Sequence, residues 1–268
     1  MRGESSRYYD GQRLFHGNVE RVMGTCLDLL IVDADAAAVA QIWKEICRLL
    51  EDYEHVFDRF DSGSEVSIAN ESLKQGRSIE ASETLGDAIR QCMEYCRRTE
   101  GIFDITRGKS SCLKLDGKVI GCEGEVDLDF GGFAKGFALR GIMDILKERK
   151  VKNAFCDFGR SSILALGAHP AGDCWRVELN SPYDGSVVSV YDLKDQCLST
   201  SGNTPGYCGH IVDPRNGEKK NEKVLATAVS SDPVEAEVLS TAVVAADLKD
   251  KDRLREAFPD AELEKFYI

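Results

Sequence analysis

Five strand-length segments follow one another between positions 154 and 200 with no helical period among them: residues 154–158, 162–166, 175–179, 187–193 and 197–200. Helical periods lie on either side of this run. Helices early and late with short strands between them point to an α+β class rather than to alternating βαβ units. Val39, Ile42, Trp43, Ile46, Leu49, Leu50, Tyr53 and Phe57 mark an amphipathic helix after a first strand at 27–32. A polar loop, Asp61-Ser62-Gly63-Ser64, follows it. A second helix is predicted from Ser82, which can cap it, with Leu85, Ala88, Ile89, Cys92, Tyr95 and Cys96 inward. Val126-Asp127-Leu128-Asp129-Phe130 reads as a strand running into Gly131-Gly132. A helix then carries Phe137, Ala138, Ile142, Ile145 and Leu146, with Lys147, Arg149 and Lys150 in the last turn, where cations suit the dipole. A strand near 227–230 precedes a last helix with Asp232 as cap and Pro233 in its first turn.

With 268 residues, 43% of them hydrophobic, the chain can bury a sizeable core. We expect a single domain over 1–268. No segment approaches the roughly 20 apolar residues that span a bilayer, so no integral membrane segment is expected. The formal net charge is -12 and no basic run is present. That excludes a surface built to displace counterions from nucleic acid. An acidic chain can still hold a phosphorylated ligand through a metal ion or backbone N–H donors. The opening MRGESSRYYDGQRLFHGN lacks the apolar core of a secretory signal. The expected location is cytoplasmic, the alternative being an exported or lipid-anchored form whose leader has been removed. The 10 cysteines form no CxxC pair, and Cys92 and Cys96, on one helix face, read as buried thiols rather than a metal half-site. Unpatterned thiols fit a reducing compartment. Neither GxGxxG after a strand nor a Walker-type loop occurs, so a bound nucleotide would not sit on a Rossmann or P-loop frame.

Three segments carry chemistry. In Gly131-Gly132-Phe133-Ala134-Lys135-Gly136 two glycines stand between a strand and a helix start. Glycine allows close backbone approach, and a helix start offers N–H groups to an anion. Lys135 lies in the first turn, where the dipole disfavours a cation unless an anion is near. The same glycines would also serve a tight packing turn. In His210-Ile211-Val212-Asp213-Pro214-Arg215-Asn216-Gly217, His210 precedes a sequence of good turn chemistry. It follows Ser199-Thr200-Ser201-Gly202, whose hydroxyls could touch phosphate or ribose; a structural histidine is the competing reading. In Glu235-Ala236-Glu237-Val238-Leu239-Ser240-Thr241-Ala242, Glu237 and Thr241 share a helix face and would suit a hard cation. The alternative is a solvated Glu and a Thr bonded back to the preceding turn.

Together these residues resemble the ApbE-type FAD:protein FMN transferases. The likeness starts at Met23-Gly24-Thr25 and passes through Ser64-Glu65-Val66-Ser67 with Asn70, then Gly101-Ile102-Phe103-Asp104-Ile105-Thr106. It continues through 129–136 and Ser199-Thr200-Ser201-Gly202 to His210-Ile211-Val212-Asp213-Pro214 and the 237–241 segment. The resemblance implies a T-fold-like α+β architecture in tandem form. It implies an FAD pocket from Met23, Ser64, Glu65 and Asn70, with Asp104 and Thr106 close by, and with Gly131, Gly132, Lys135, Ser201, Gly202 and His210 toward the phosphates. It implies Mg²⁺ on the Ala134 carbonyl, Glu237 and Thr241. His210 matches the proposed base, with Asp213 to orient it and Lys135 to hold charge. The partner would be a target flavoprotein with a Ser/Thr flavinylation site. Competing outcomes are FAD hydrolysis to FMN and AMP, and FAD binding without chemistry.

The chain departs from the family pattern in four places. Glu237 stands for an Asp, Asn216 for a Thr and Ile105 for a Pro. Gly159-Arg160-Ser161-Ser162 replaces a glycine pair. The extra methylene of Glu237 moves its carboxylate by roughly 1.5 Å, and Mg²⁺ tolerates little misplacement of its ligands.

Overall fold

The computed structural model describes residues 3–268. In chain order it contains β1 (Glu4–Tyr9), β2 (Leu14–Val22), β3 (Thr25–Val32), α1 (Ala36–Phe57), α2 (Glu65–Lys74), β4 (Ile79–Glu80), α3 (Glu83–Arg98), β5 (Leu113–Asp116), β6 (Val119–Cys122) and α4 (Ala134–Glu148). Then come β7 (Asn153–Phe158), β8 (Ser162–Leu166), β9 (Trp175–Asn180), β10 (Val187–Leu193), β11 (Gln196–Gly202), β12 (Val224–Ser230), α5 (Pro233–Ala245), α6 (Leu248–Ala257) and β13 (Glu262–Tyr267).

The main sheet has eight strands in the order β1-β2-β3-β7-β8-β11-β12-β13, and its ladders are antiparallel. This is the α+β class expected. Inside it β3 pairs with β7, in register from Leu27↔Phe158 to Val32↔Asn153. Helices α1, α4 and α5 cover one face. The β9–β10 hairpin covers part of the other, where Trp175, Tyr191 and Leu193 pack on Ile163, Ala165, Leu198 and Val229. Strands β8 and β12 are therefore buried throughout, as strands covered on both faces are.

The α1 stripe packs as its period requires. Val39, Ile42, Trp43, Ile46 and Leu50 are buried, and Asp35 caps the helix by accepting from the Ala37 and Ala38 N–H groups. Ser82 caps α3 and Asp232 caps α5, with Pro233 in its first turn, as expected. Helix α5 is buried on nearly every side. Its close contact with α4 depends on Gly136, where a Cβ would lie 2.6 Å from the Pro233 carbonyl oxygen and 2.7 Å from the Glu237 Cβ. Neither atom can move cheaply. Ala would gain about 1 kcal/mol of helix propensity but overpack by about 1–3 kcal/mol, so Gly136→Ala is expected to destabilise on balance. A denaturant midpoint at or above that of the parent would show that the two helices can separate.

The strand expected at 126–130 is not one. Val126, Leu128 and Phe130 are buried alternately, as in a strand, but the segment belongs to no sheet. The Asn70 side chain stands where a neighbouring strand would: its Nδ2 donates to the Leu128 carbonyl at 3.0 Å, and its Oδ1 accepts from the Leu128 N–H at 2.7 Å. Asp129 N–H donates to the Ile105 carbonyl. Asn70→Ala would strand two buried backbone groups at about 1–3 kcal/mol each. Equilibrium unfolding should show a loss of about 2–6 kcal/mol on that basis; a loss below about 0.5 kcal/mol would mean that water replaces the amide. Among the described residues no helix is long and apolar enough to cross a membrane.

Candidate functional site

The Gly131-Gly132 turn is shaped by Asp129. Its Oδ1 accepts the Gly131 N–H at 2.9 Å, while Arg59 binds its other oxygen at 2.6 Å and Arg107 also reaches it. Burial works to raise this carboxyl, but the Gly131 N–H and the two guanidinium groups outweigh burial and hold it below the usual range. The N–H groups of Phe133 and Ala134 both donate to the Phe130 carbonyl. Among the described residues no protein acceptor receives the N–H of Gly132, Lys135 or Gly136. A glycine turn with open donors at the start of a helix suits an anion. Thr241 of α5 lies against this turn, 2.9 Å from where a Gly132 Cβ would stand.

Lys135 reaches across to the β7–β8 turn and to α5. Its Nζ lies 3.0 Å from Glu237 Oε1 and donates to Ser161 Oγ at 2.6 Å and Ser162 Oγ at 2.8 Å. Glu237 Oε2 accepts from Ser162 at 2.6 Å and from Ser199 at 2.9 Å. Hydroxyls then connect Ser199, Ser240, Ser201 and Thr241. Ser199 and Ser201 face α5 together because they alternate along β11. Sequence reasoning singled out Glu237 and Thr241, and both touch the glycine-turn segment. It missed the pairing of Glu237 with Lys135, and the two departures Glu237 and Ser161-Ser162 turn out to touch each other. The Glu237 carboxylate is the only one in this cluster and both its oxygens are engaged. Among the described residues no group of three or more His, Cys, Asp or Glu side chains could hold a metal ion. So arranged, Ala134, Glu237 and Thr241 would offer a Mg²⁺ ion a single carboxylate, and protein donors already engage both of its oxygens.

His210 hangs on a loop tied down by Asn203, which is 0% exposed. Asn203 donates to the Lys220 and Glu222 carbonyls, both at 2.8 Å, and accepts from the Gly209 N–H at 3.0 Å. The imidazole stacks on Tyr207 with 4.0 Å between ring centroids. Partial burial lowers its pKa below the ordinary value. Asp213 does not orient it. The Asp213 carboxylate binds the Arg215 guanidinium at 2.8 and 2.9 Å and the Arg215 N–H at 3.0 Å, and Arg215 continues to Asp250. Burial would raise the Asp213 carboxyl, but the Arg215 hydrogen bonds dominate and lower it. Only Pro214 separates Asp213 and Arg215 in sequence, so a local clamp outcompetes a longer reach to His210.

Several residues expected around the cofactor organise loops instead. Ser64 is fully buried and caps α2 through the Ser67 N–H. Glu65 accepts from the Ser82 N–H and hydroxyl, joining α2 to the start of α3. Asn70 holds Leu128, as above. Asp104 Oδ1 accepts from the Thr106 N–H and hydroxyl, and Oδ2 from the Gly108 N–H. Gly202 allows β11 to approach β12, since a Cβ there would lie 2.2 Å from the Val224 carbonyl oxygen. Met23 and Gly24 form a left-handed turn, with φ of 48° and 76°, and the Met23 N–H donates to Glu54 at 2.7 Å. Beside this turn is a cavity of about 460 Å³ lined by Glu20, Arg21, Val22, Gly24, Thr25, Cys26 and Glu54, within the usual range for a small-molecule pocket.

A family model described as the ApbE family matches residues 23–113 and 111–263. The FAD:protein FMN transferase of Rhodobacter capsulatus is 24% identical over 230 residues, which are 71% of this chain and 44% of that protein. The chain thus spans less than half the length of that curated relative. Among solved structures, the flavin transferase ApbE from Vibrio cholerae superposes with a TM-score of 0.79 at 19% identity, covering 99% of this chain and 97% of the other. The apbe protein of Thermotoga maritima gives 0.79 at 20% identity, covering 98% and 93%. At such identities the likeness establishes the fold.

Proposed function

The chain belongs to the ApbE family, and from that premise we propose that it transfers the FMN half of FAD to a Ser or Thr hydroxyl of a target flavoprotein, releasing AMP. The observation that carries this reading is the glycine turn with its open N–H groups, set beside the Lys135 ammonium and a row of hydroxyls from β11 and α5. Such a surface suits a pyrophosphate. The Rhodobacter capsulatus relative bears the same activity in its name.

In the reaction the target hydroxyl oxygen forms a bond to the FMN phosphorus. The anhydride bond to the AMP phosphate breaks, and its electron pair leaves with AMP. His210, held neutral near pH 7 by its lowered pKa, takes the hydroxyl proton. Phosphoryl transfer depends mainly on alignment and charge neutralisation. The turn N–H groups supply donors for that purpose, with the Lys135 ammonium beside them. The ten cysteines are all free, which supports action in a reducing compartment such as the cytoplasm.

The test is incubation of the protein with FAD, with and without a candidate target flavoprotein. AMP release that requires the target, with the target gaining the mass of FMN, is expected. AMP release at the same rate without target would make the protein an FAD pyrophosphatase. Intact, retained FAD would make it a binder.

A further inference from the structure

We propose that Lys135 is the resident cation of this site, occupying the position at Glu237 that a divalent ion would need, so that the chemistry proceeds without a divalent metal. The proposal rests on the flavin-transfer reading of the same site. An ammonium group has three protons to donate. Glu237 Oε1, Ser161 Oγ and Ser162 Oγ, at 3.0, 2.6 and 2.8 Å, take all three. Ser162 in turn donates to Glu237 Oε2, and Ser199 donates to the same oxygen. Every proton and both carboxylate oxygens are accounted for.

The arrangement is rigid. The Glu237 side chain is 4% exposed. The serines sit at the end of a fixed turn: Gly159 and Arg160 adopt left-handed φ of 69° and 56°, and the Arg160 N–H donates to Asp157. Gly136 presses α4 onto Glu237 itself. The helix dipole opposes a lysine in the first turn of α4; the Glu237 carboxylate compensates for that placement. Charge settles the choice of cation. The bonded pair of one carboxylate and one ammonium is neutral, and the Asp157 carboxylate acts on Lys135 from further off. Mg²⁺ dehydrates reluctantly and needs near-octahedral oxygen ligands. Here it would meet a single carboxylate already saturated, with an ammonium directly beside it. The longer side chain of Glu237 and the hydroxyls of Ser161 and Ser162 are what complete the Lys135 shell, so the substitutions that weaken a metal site are the same ones that build the ammonium site.

The experiment uses Mn²⁺ as the probe, titrated by electron paramagnetic resonance into the FAD-loaded parent protein and into Lys135→Met. In parallel, AMP release in the presence of target is measured in Mg²⁺ and in EDTA. The parent is expected to show no Mn²⁺ site beyond that of free FAD, and its AMP release in EDTA is expected to stay within about twofold of that in Mg²⁺. Lys135→Met leaves a buried carboxylate without its cation and is expected to bind Mn²⁺ at least about tenfold more tightly than the parent. A stoichiometric Mn²⁺ site in the parent that Glu237→Gln removes would overturn the proposal. So would loss of AMP release in EDTA, or a folded Lys135→Met that gains no Mn²⁺ site. If Lys135→Met does not fold, the parent titration decides alone. Absence of AMP release under every condition would sink the transfer reading, while the Mn²⁺ titration would still report on the cation.

Discussion

His210→Ala is expected to lower target-dependent AMP release by about 10²–10⁴-fold, the usual cost of losing a general base, while FAD affinity stays within a few-fold. In the proposed reaction it accepts a proton, and the open N–H groups lie on the glycine turn rather than on the His210 loop. The pH profile adds a sign. Burial lowers the imidazole pKa from its ordinary value near 6.5, so the neutral, proton-accepting form persists to more acidic pH. Activity should fall as pH drops through that lowered value, with the half-point below about 6.5. A variant retaining near-parental AMP release would make His210 structural. A parental profile whose acid limb lies well above 7 would show that another group titrates.

Glu237→Ala should be the most destabilising change in the cluster, by roughly 3–5 kcal/mol. Removing one partner of a buried pair leaves the other charge uncompensated, and here Ser162 and Ser199 also lose their acceptor. The Lys135 side chain keeps 21% exposure and can turn partly to water, which favours the lower end of that range. Glu237→Gln preserves shape and one carbonyl acceptor, and should lose less, about 1–3 kcal/mol. Guanidinium denaturation of the three proteins orders them. Glu237→Ala unfolding within about 1 kcal/mol of the parent would mean that the pair contributes little to stability.

The long helices were legible because their stripes have a 3.6-residue period over several turns, and Asp232 and Ser82 are strong caps. Helix α2 escaped notice: it is ten residues long and its buried set is Val66, Ala69, Asn70 and Leu73, with a polar amide in the stripe. Strands β1 and β2 escaped because Gly, His, Asn and Arg interrupt their alternation, and β1 lies at an exposed edge. The misread strand at 126–130 has real alternation, but its hydrogen-bonding partner is a side chain, which no periodicity reveals. At the site, the glycine turn and the hydroxyl runs announced themselves by composition. The Lys135–Glu237 pair did not, because it depends on the approach of α4 to α5 at Gly136 and on the β7–β8 turn beside them. The Asp213–Arg215 clamp was missed for the opposite reason: the partner lies only two positions along the chain.

The β3–β7 pair inside the sheet also has a consequence for synthesis. Strand β3 ends at Val32 and its partner begins at Asn153, with α1 to α4 between them. Ribosomes add about 5–20 residues per second, so a nascent β3 waits on the order of ten seconds with one edge unpaired. An open edge of that kind is a template for unwanted pairing with other chains. The element made next is α1, whose Ile42, Trp43, Ile46 and Leu50 belong to the same apolar cluster as Leu27, Leu29 and Ile31. The sticky face of the early meander can therefore be covered as soon as α1 has left the ribosome, leaving only backbone groups to wait for β7.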